Sequence, residues 1–309
     1  MIKIAGSGMA GLLAANLLRR MSPVVHEAQA ALPQNHSALL RFRTDAVAKA
    51  TGIPFRKVTV RKDISWRNET FCAGHLAVNN AYSHKVTGKI SSRSILNTEA
   101  GERWIAPDNF VEQMASSVKI EFNSPLTELQ VVGRNEESEP LISTLPMPVL
   151  MKMVEWKNQP KFDWKSIWSV RCTIQDCDVY QTIYYPERHA PYYRASITGD
   201  TLIVEYILEP DATNTTGHIN SILKDFGINQ KPEHFETTMQ KYGKIFSVDP
   251  EACRRFILFM TDRYRIYSLG RFATWRNILL DSVVNDISVI EKLIDSRDGY
   301  QKTLHQQAK

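Results

Sequence analysis

Six residues near the start of the chain, Gly6-Ser7-Gly8-Met9-Ala10-Gly11, have the G-x-G-x-x-G spacing of a dinucleotide site. Gly6 permits a tight turn, and Gly8 lets backbone amides approach a pyrophosphate. Gly11 lets a helix lie close against a strand, while the helix opening at Met9 and Ala10 offers unpaired amides and a partial positive charge. Nineteen residues after Gly8 stands Glu27, whose carboxylate suits the hydroxyls of an adenosine ribose and disfavours a ribose bearing a 2′-phosphate.

The neighbouring pattern supplies the elements that must position this set. Ile2-Lys3-Ile4-Ala5 reads as a short buried parallel strand, Met9 to Arg20 as a helix with small Ala10, Ala14 and Ala15 inward, and Val24-Val25-His26 as a second strand ending on Glu27. Further along, helical periodicity is expected from Ala31 to Gly52 and a solvent-facing strand at Lys57–Arg61. Asp108 is expected to cap a helix through Met114, with a strand at Val118–Phe122 and an apolar run at Leu141–Pro146. Four β-rich segments, 167–174, 179–185, 192–197 and 202–208, predict an antiparallel sheet inserted into the nucleotide-binding domain. Helices are expected at 217–226 and from Trp275 onward, with Gln301–Lys309 frayed.

The 309 residues allow two domains, and 43% hydrophobic with 23% charged residues is ordinary globular composition. No apolar run reaches the length of a bilayer span and no signal peptide precedes the glycines, so a cytoplasmic protein without a membrane partner is expected. Cys72, Cys172, Cys177 and Cys253 make no C-x-x-C pair and read as packing residues, with no metal site. A net charge of +5 favours an anionic partner only weakly, since a dinucleotide itself calls for positive potential.

Several later segments carry a resemblance. Ile142-Ser143-Thr144-Leu145-Pro146 is similar to a strand ending in threonine and proline. Gly270-Arg271-Phe272-Ala273-Thr274-Trp275, followed by Asp281-Ser282-Val283-Val284-Asn285-Asp286, is similar to a C-terminal loop and helix that return to a flavin. With the N-terminal fingerprint, these resemble the FAD-dependent amine oxidase and protoporphyrinogen oxidase superfamily, which includes UDP-galactopyranose mutase. The resemblance implies FAD as cofactor. It also implies contacts to it from Gly6, Gly8, Met9, Ala10, Gly11, Glu27, Val118, Thr144, Gly270 and Arg271, and a helix starting near Asn277 whose dipole faces the flavin. The chain departs from the pattern at Asn35–Arg43, where a second glycine-rich stretch is missing. Arg41 and Arg43 stand there, either as phosphate or flavin contacts or as surface charges.

The expected fold is α/β, a Rossmann-type FAD-binding domain (GR2-like) over 1–50, 100–150 and 245–309. A smaller inserted antiparallel-sheet substrate domain is expected over 51–99 and 151–244. The reaction implied is FAD-dependent oxidation, with the C–N bond of an amine as the preferred target. That amine is either a free small molecule or an amino-acid-modified nucleobase in phage-type DNA, which the basic segment Arg56–Lys62 with Trp66 would track. The alternative comes from Tyr184–Ser196, which resembles a segment of the eukaryotic-type galactopyranose mutases. There the arginine matching Arg194 holds the diphosphate of a sugar nucleotide. Gly74-His75 is similar to a glycine-histidine loop beside the mutase flavin. His75, Tyr184 and Arg194 are therefore the catalytic candidates, and an anionic substrate suits either reaction.

Overall fold

A computed structural model describes residues 1–32, 41–67, 69–71, 74–90, 95–96 and 98–307. Cys72 and the Asn35–Leu40 part of the departing segment lie outside the described residues. The chain opens as expected with β1 (Ile2–Ala5), α1 (Met9–Leu17) and β2 (Pro23–His26). A first excursion follows: β3 (Arg41–Phe42), α2 (Ala46–Thr51), β4 (Arg56–Trp66), β5 (Glu69–Phe71), α3 (Leu76–Thr87), β6 (Gly101–Ile105) and α4 (Phe110–Ser116). The chain then lays down β7 (Lys119–Glu121), α5 (Glu128–Val132) and β8 (Leu141–Ser143). A second excursion comprises α6 (Met147–Met153), β9 (Trp164–Ile174), β10 (Val179–Tyr184), β11 (Tyr192–Gly199), β12 (Thr201–Tyr206), α7 (Ala212–Asp225), β13 (Pro232–Ile245) and α8 (Pro250–Tyr264). β14 (Ile266–Ser268) and α9 (Leu280–Gln307) complete the chain.

Five strands form a parallel sheet in the order β14-β8-β1-β2-β7. Its inner strands read as apolar runs because helices cover both faces, and β8 and β14 are buried throughout. The order reverses beside β1: the chain moves to β2 through α1, yet β8 returns to the other side. Ligands of doubly wound sheets bind in the crevice at the carboxyl ends of strands at such a switch point. Gly6 stands there, directly after β1.

The two excursions build one nine-stranded sheet in the order β13-β9-β12-β11-β10-β4-β6-β3, with β5 paired to β4. It is antiparallel except where β10 meets β4, the one place where the excursions join in parallel. α7 covers one face, over a core that includes Val170, Ile183, Ile197, Val204 and Ile222.

Several expectations are corrected. The helix expected over Ala31–Gly52 survives only as α2; Arg41 and Phe42 pair as a strand with Ile105 and Trp104. There Phe42 joins Phe55 and Phe110, with ring centroids 5.0 and 6.3 Å away, so aromatic packing overrides local helical periodicity. The strand at Lys57–Arg61 extends to Trp66 inside the large sheet, and its second half is buried around Asp63 and Ile64. The helix expected near Asn277 starts at Leu280, and the helix expected to be capped by Asp108 starts at Phe110, after Asn109, with no side-chain cap. α9 extends through Gln307. Cys172 and Cys253 are buried in separate apolar clusters, and burial pushes the Cys172 thiol up to about 12. No helix of the described residues is long and apolar enough to cross a membrane.

Candidate active site

The glycine turn is specified by steric necessity. Gly6 has φ +98°, and a Cβ built on it would lie 2.3 Å from Thr144 Oγ1. Thr144 is fixed at the end of β8, where both its amide (3.0 Å) and its hydroxyl (2.8 Å) donate to the Ala5 carbonyl. A Cβ on Gly11 would meet the Gly6 carbonyl oxygen at 2.0 Å, which is the close helix–strand approach expected of the third glycine. Gly8 differs, because a Cβ there meets nothing within 4 Å. The middle glycine therefore faces open space, as a residue does where a ligand must approach the backbone.

α1 begins at this opening with no side-chain cap and no acid in its first turn. Its first amides are thus presented at the positive end of the helix dipole, an arrangement suited to a pyrophosphate. Gly270 completes the wall from the C-terminal side: it has φ +91°, and a Cβ there would come 2.9 Å from the Ala10 side chain. Gly6, Ala10, Thr144 and Gly270, dispersed over the whole chain, are thereby neighbours. Met9, the first residue of α1, packs half-buried against the core, and Val118, directly before β7, packs on the same cluster.

Glu27 follows β2 and is 6% exposed. Its Oε2 accepts the Ser7 amide (2.8 Å) and the Ser7 hydroxyl (2.7 Å), while Oε1 accepts the Gln29 amide at 2.9 Å. Burial would raise the carboxyl pKa, but these hydrogen bonds outweigh it and hold the group below its ordinary value. Glu27 is thus a carboxylate that ties the glycine turn to the second strand.

The catalytic candidates fall into two places. His75 is exposed at the start of α3, with no side-chain hydrogen bond to a described residue. Tyr184 and Arg194 face each other across β10 and β11. The same cross-strand row continues through Glu205, Ser169 and Thr238, so one face of the large sheet is polar where the other carries the apolar core. Between Tyr192 and Arg194 the register shifts by a bulge that leaves Tyr193 as the extra residue. Tyr193 and Arg194 consequently both bond Glu205: the tyrosine hydroxyl donates to Oε1 at 3.0 Å and Arg194 Nε donates to Oε2. Burial would raise the Glu205 pKa, but Arg194 and Lys244 overcome it and hold the carboxyl at about 2.

Two contacts join this face to the glycine turn. Arg271, next to Gly270, donates to the Gly243 carbonyl of β13 (3.4 Å) and to Asn277 Oδ1 (3.1 Å). The adjacent Lys244 places its ammonium 4.8 Å from the centre of the Tyr193 ring.

Arg41 lies on the polar face and not at the glycine turn. Its guanidinium donates to Thr198 Oγ1 (2.7 Å), Thr182 Oγ1 (3.0 Å) and the Ile197 carbonyl. Thr182 in turn shares a hydrogen bond with Ser196 at 2.9 Å. Thr182, Ser196, Thr198 and Glu205 did not emerge from the motifs, although the alternation Tyr180-x-Thr182-x-Tyr184 and Arg194-x-Ser196-x-Thr198 already marks a polar strand face. In the Arg56–Lys62 segment Arg56 bonds the Tyr180 hydroxyl, Lys57 pairs with Glu102 at 2.6 Å and Lys62 donates to the Glu99 carbonyl, while the Arg56, Lys57 and Arg61 side chains stay exposed. A separate groove of about 610 Å³ runs between α8 and α9, past Ile257, Leu258, Val289 and Leu293, and touches neither the glycine turn nor Arg194.

No protein-family model matches the chain, and no curated protein is significantly similar to it in sequence. Its fold does match solved structures. A reduced UDP-galactopyranose mutase is 14% identical over 98% of this chain and 94% of its own, with a TM-score of 0.66. A protoporphyrinogen oxidase-like protein from Exiguobacterium sp. 255-15 is 10% identical over 96% of this chain and 98% of its own, with a TM-score of 0.63. A geranylgeranyl bacteriochlorophyll reductase-like protein from Thermoplasma acidophilum is 10% identical over 99% of this chain and 83% of its own, at 0.57. What is shared at these identities is the fold. The chain has the Rossmann-type α/β fold of FAD-binding flavoenzymes, with a large sheet inserted into it.

Proposed function

We propose that this chain is an FAD-dependent oxidoreductase acting on an anionic substrate. The observation that carries the reading is the convergence of Gly6, Ala10, Thr144 and Gly270 around the open backbone of Gly8, at the switch point of the parallel sheet. These residues fit a dinucleotide. The amides of α1 would hold its pyrophosphate, Glu27 would hold its ribose or keep Ser7 in place beside it, and Arg271 would line the approach from the large sheet. FAD, when bound, supplies the electron-transfer chemistry, and the protein's part is to bind, orient and exclude water.

The polar sheet face is the substrate platform in this reading. Tyr184 and Arg194 orient the substrate there, and Glu205 holds the Arg194 guanidinium in one direction. A cationic surface repels an ammonium group, so oxidation of a simple cationic amine fits less well than turnover of a substrate bearing phosphate or carboxylate. The second reading, a mutase-like reaction on a sugar nucleotide, is favoured by the same feature, because an arginine fork suits a diphosphate. DNA draws no support from the matched folds.

The test is an absorption spectrum of the purified protein, followed by acid and salt release and identification of the chromophore. Released FAD supports the reading. A colourless chain that cannot be reconstituted with FAD overturns it. With FAD present, anaerobic bleaching by a substrate identifies oxidation; turnover of a sugar nucleotide only after reduction, without net electron transfer, identifies the mutase-like reaction.

A further inference from the structure

We propose that Arg41 is the anion anchor of the substrate face, forming with the hydroxyls of Thr182, Ser196 and Thr198 a subsite for a phosphate or diphosphate group. This rests on the reading of that face as the substrate platform, and it takes Arg41 away from the dinucleotide. The argument starts from charge balance. Arg194, the obvious phosphate ligand, has its charge met by Glu205, whose two oxygens are taken by Tyr193 and Arg194. Arg41 instead has three neutral acceptors, two threonine hydroxyls and one carbonyl.

No carboxylate offsets it. Burial first, then the charges of Arg194 and Arg103, lower the Arg41 pKa to about 9, with the Tyr184 hydroxyl acting in the opposite direction. The residues outside the described set include neither Asp nor Glu, so none of them completes an ion pair with a side-chain carboxylate. A half-buried guanidinium beside two further cations is costly unless a negative charge joins it. An anion would supply it, and Arg41, Arg103, Arg194 and Lys244 against the single Glu205 leave a net positive charge for it.

The geometry also suits phosphate. A hydroxyl that accepts from Arg41 keeps its own O–H to donate, so Thr198 and the Thr182–Ser196 pair offer donors beside the planar fork. Residues 182 and 196 stand directly opposite on adjacent strands, which fixes these hydroxyls on a rigid element.

The experiment titrates inorganic pyrophosphate into the flavin-loaded protein by calorimetry at constant ionic strength. Wild type is compared with Arg41→Gln, Arg41→Lys and Arg194→Gln, and the FAD content of each is measured. The expected result is binding by wild type and at least about a tenfold loss in Arg41→Gln, with an intermediate loss in Arg41→Lys and unchanged FAD per chain. Arg41→Lys keeps the charge and removes the fork, so it answers the question if the glutamine variant does not fold. Equal affinity in wild type and the Arg41 variants, or no pyrophosphate binding by wild type, overturns the proposal. Loss of FAD from either Arg41 variant also overturns it, by assigning this arginine to the dinucleotide. If the purified chain holds no flavin and yet shows Arg41-dependent pyrophosphate binding, the FAD reading fails and the anion subsite stands.

Discussion

Ser7 and Glu27 are joined by two hydrogen bonds to a single carboxylate oxygen, one from the Ser7 amide at 2.8 Å and one from its hydroxyl at 2.7 Å. This contact ties the glycine turn after β1 to the end of β2 before any ligand arrives. Removing the carboxylate strands two buried donors. Glu27→Ala is therefore expected to cost about 2 kcal/mol of folding stability, measured by urea unfolding. It is also expected to weaken FAD retention. Unchanged flavin affinity in a destabilised Glu27→Ala protein would confine Glu27 to a structural role.

Gly6 and Gly8 are expected to respond in opposite ways to a side chain. Gly6→Ala drives a Cβ into Thr144 Oγ1 at a backbone φ of +98°, so loss of the folded protein is expected. Gly8→Val meets open space and should fold with a stability within about 1 kcal/mol of wild type. It should nonetheless purify without flavin, because the valine occupies the approach to the pyrophosphate. Circular dichroism and flavin absorbance of the two variants separate these outcomes. A yellow Gly8→Val protein would refute the site.

The Glu205 carboxyl, held at about 2 by Arg194 and Lys244 despite its burial, makes stability depend on acid pH. Its folded pKa lies below the ordinary 4.5, so its contribution is fully present above about pH 4.5 and is lost as pH falls toward 2. The loss is expected to be roughly 3 kcal/mol over that window. Urea unfolding of wild type and Glu205→Gln across the window tests this. The variant should be less stable at neutral pH, since Arg194 is left unpaired, and should lose this share of the acid dependence.

Lys85 is expected to be a structural staple. From α3 its ammonium donates to the carbonyls of Tyr185 (2.7 Å), Glu187 (2.7 Å) and Tyr192 (2.6 Å), and so closes the connection between β10 and β11. Lys85→Met removes all three bonds while preserving most of the apolar stem. A destabilisation of about 2–4 kcal/mol is expected, with flavin content unchanged. Equal stability of the two proteins in urea would show that solvent or neighbouring donors replace the lysine.

The parts of this protein legible in the sequence are those whose causes are local. β1, the three glycines, α1, β2 and Glu27 lie within the first 27 residues. Their spacing within one β-α-β unit reveals them, although the contacts that fix Gly6 reach as far as Thr144. The strands β9 to β12 are legible for the same reason, as apolar and polar residues alternate on a sheet with one covered face. α8 is not among the expected helices, although Asp249, Pro250 and Glu251 supply an N-cap followed by a proline and an acid in the first turn. The late elements Thr144 and Gly270 are legible only through resemblance, because nothing near them in sequence says that they meet at Gly6 and Ala10.

By itself, then, the sequence determined a Rossmann-type β-α-β unit and an inserted β-rich region. Tertiary structure decided where the charges went. Arg41 and Thr198 are 157 positions apart and become neighbours only because two separate excursions of the chain share one sheet. The pairing of β11 with β12 likewise set Glu205 against Arg194, while Arg41 is held by neutral acceptors. Local propensity assigned Arg41 to a helix. Aromatic burial of Phe42 against Phe55 and Phe110 placed it on a strand, because packing energy shared among distant rings exceeds the few tenths of a kcal/mol, roughly, by which residues differ in helix preference.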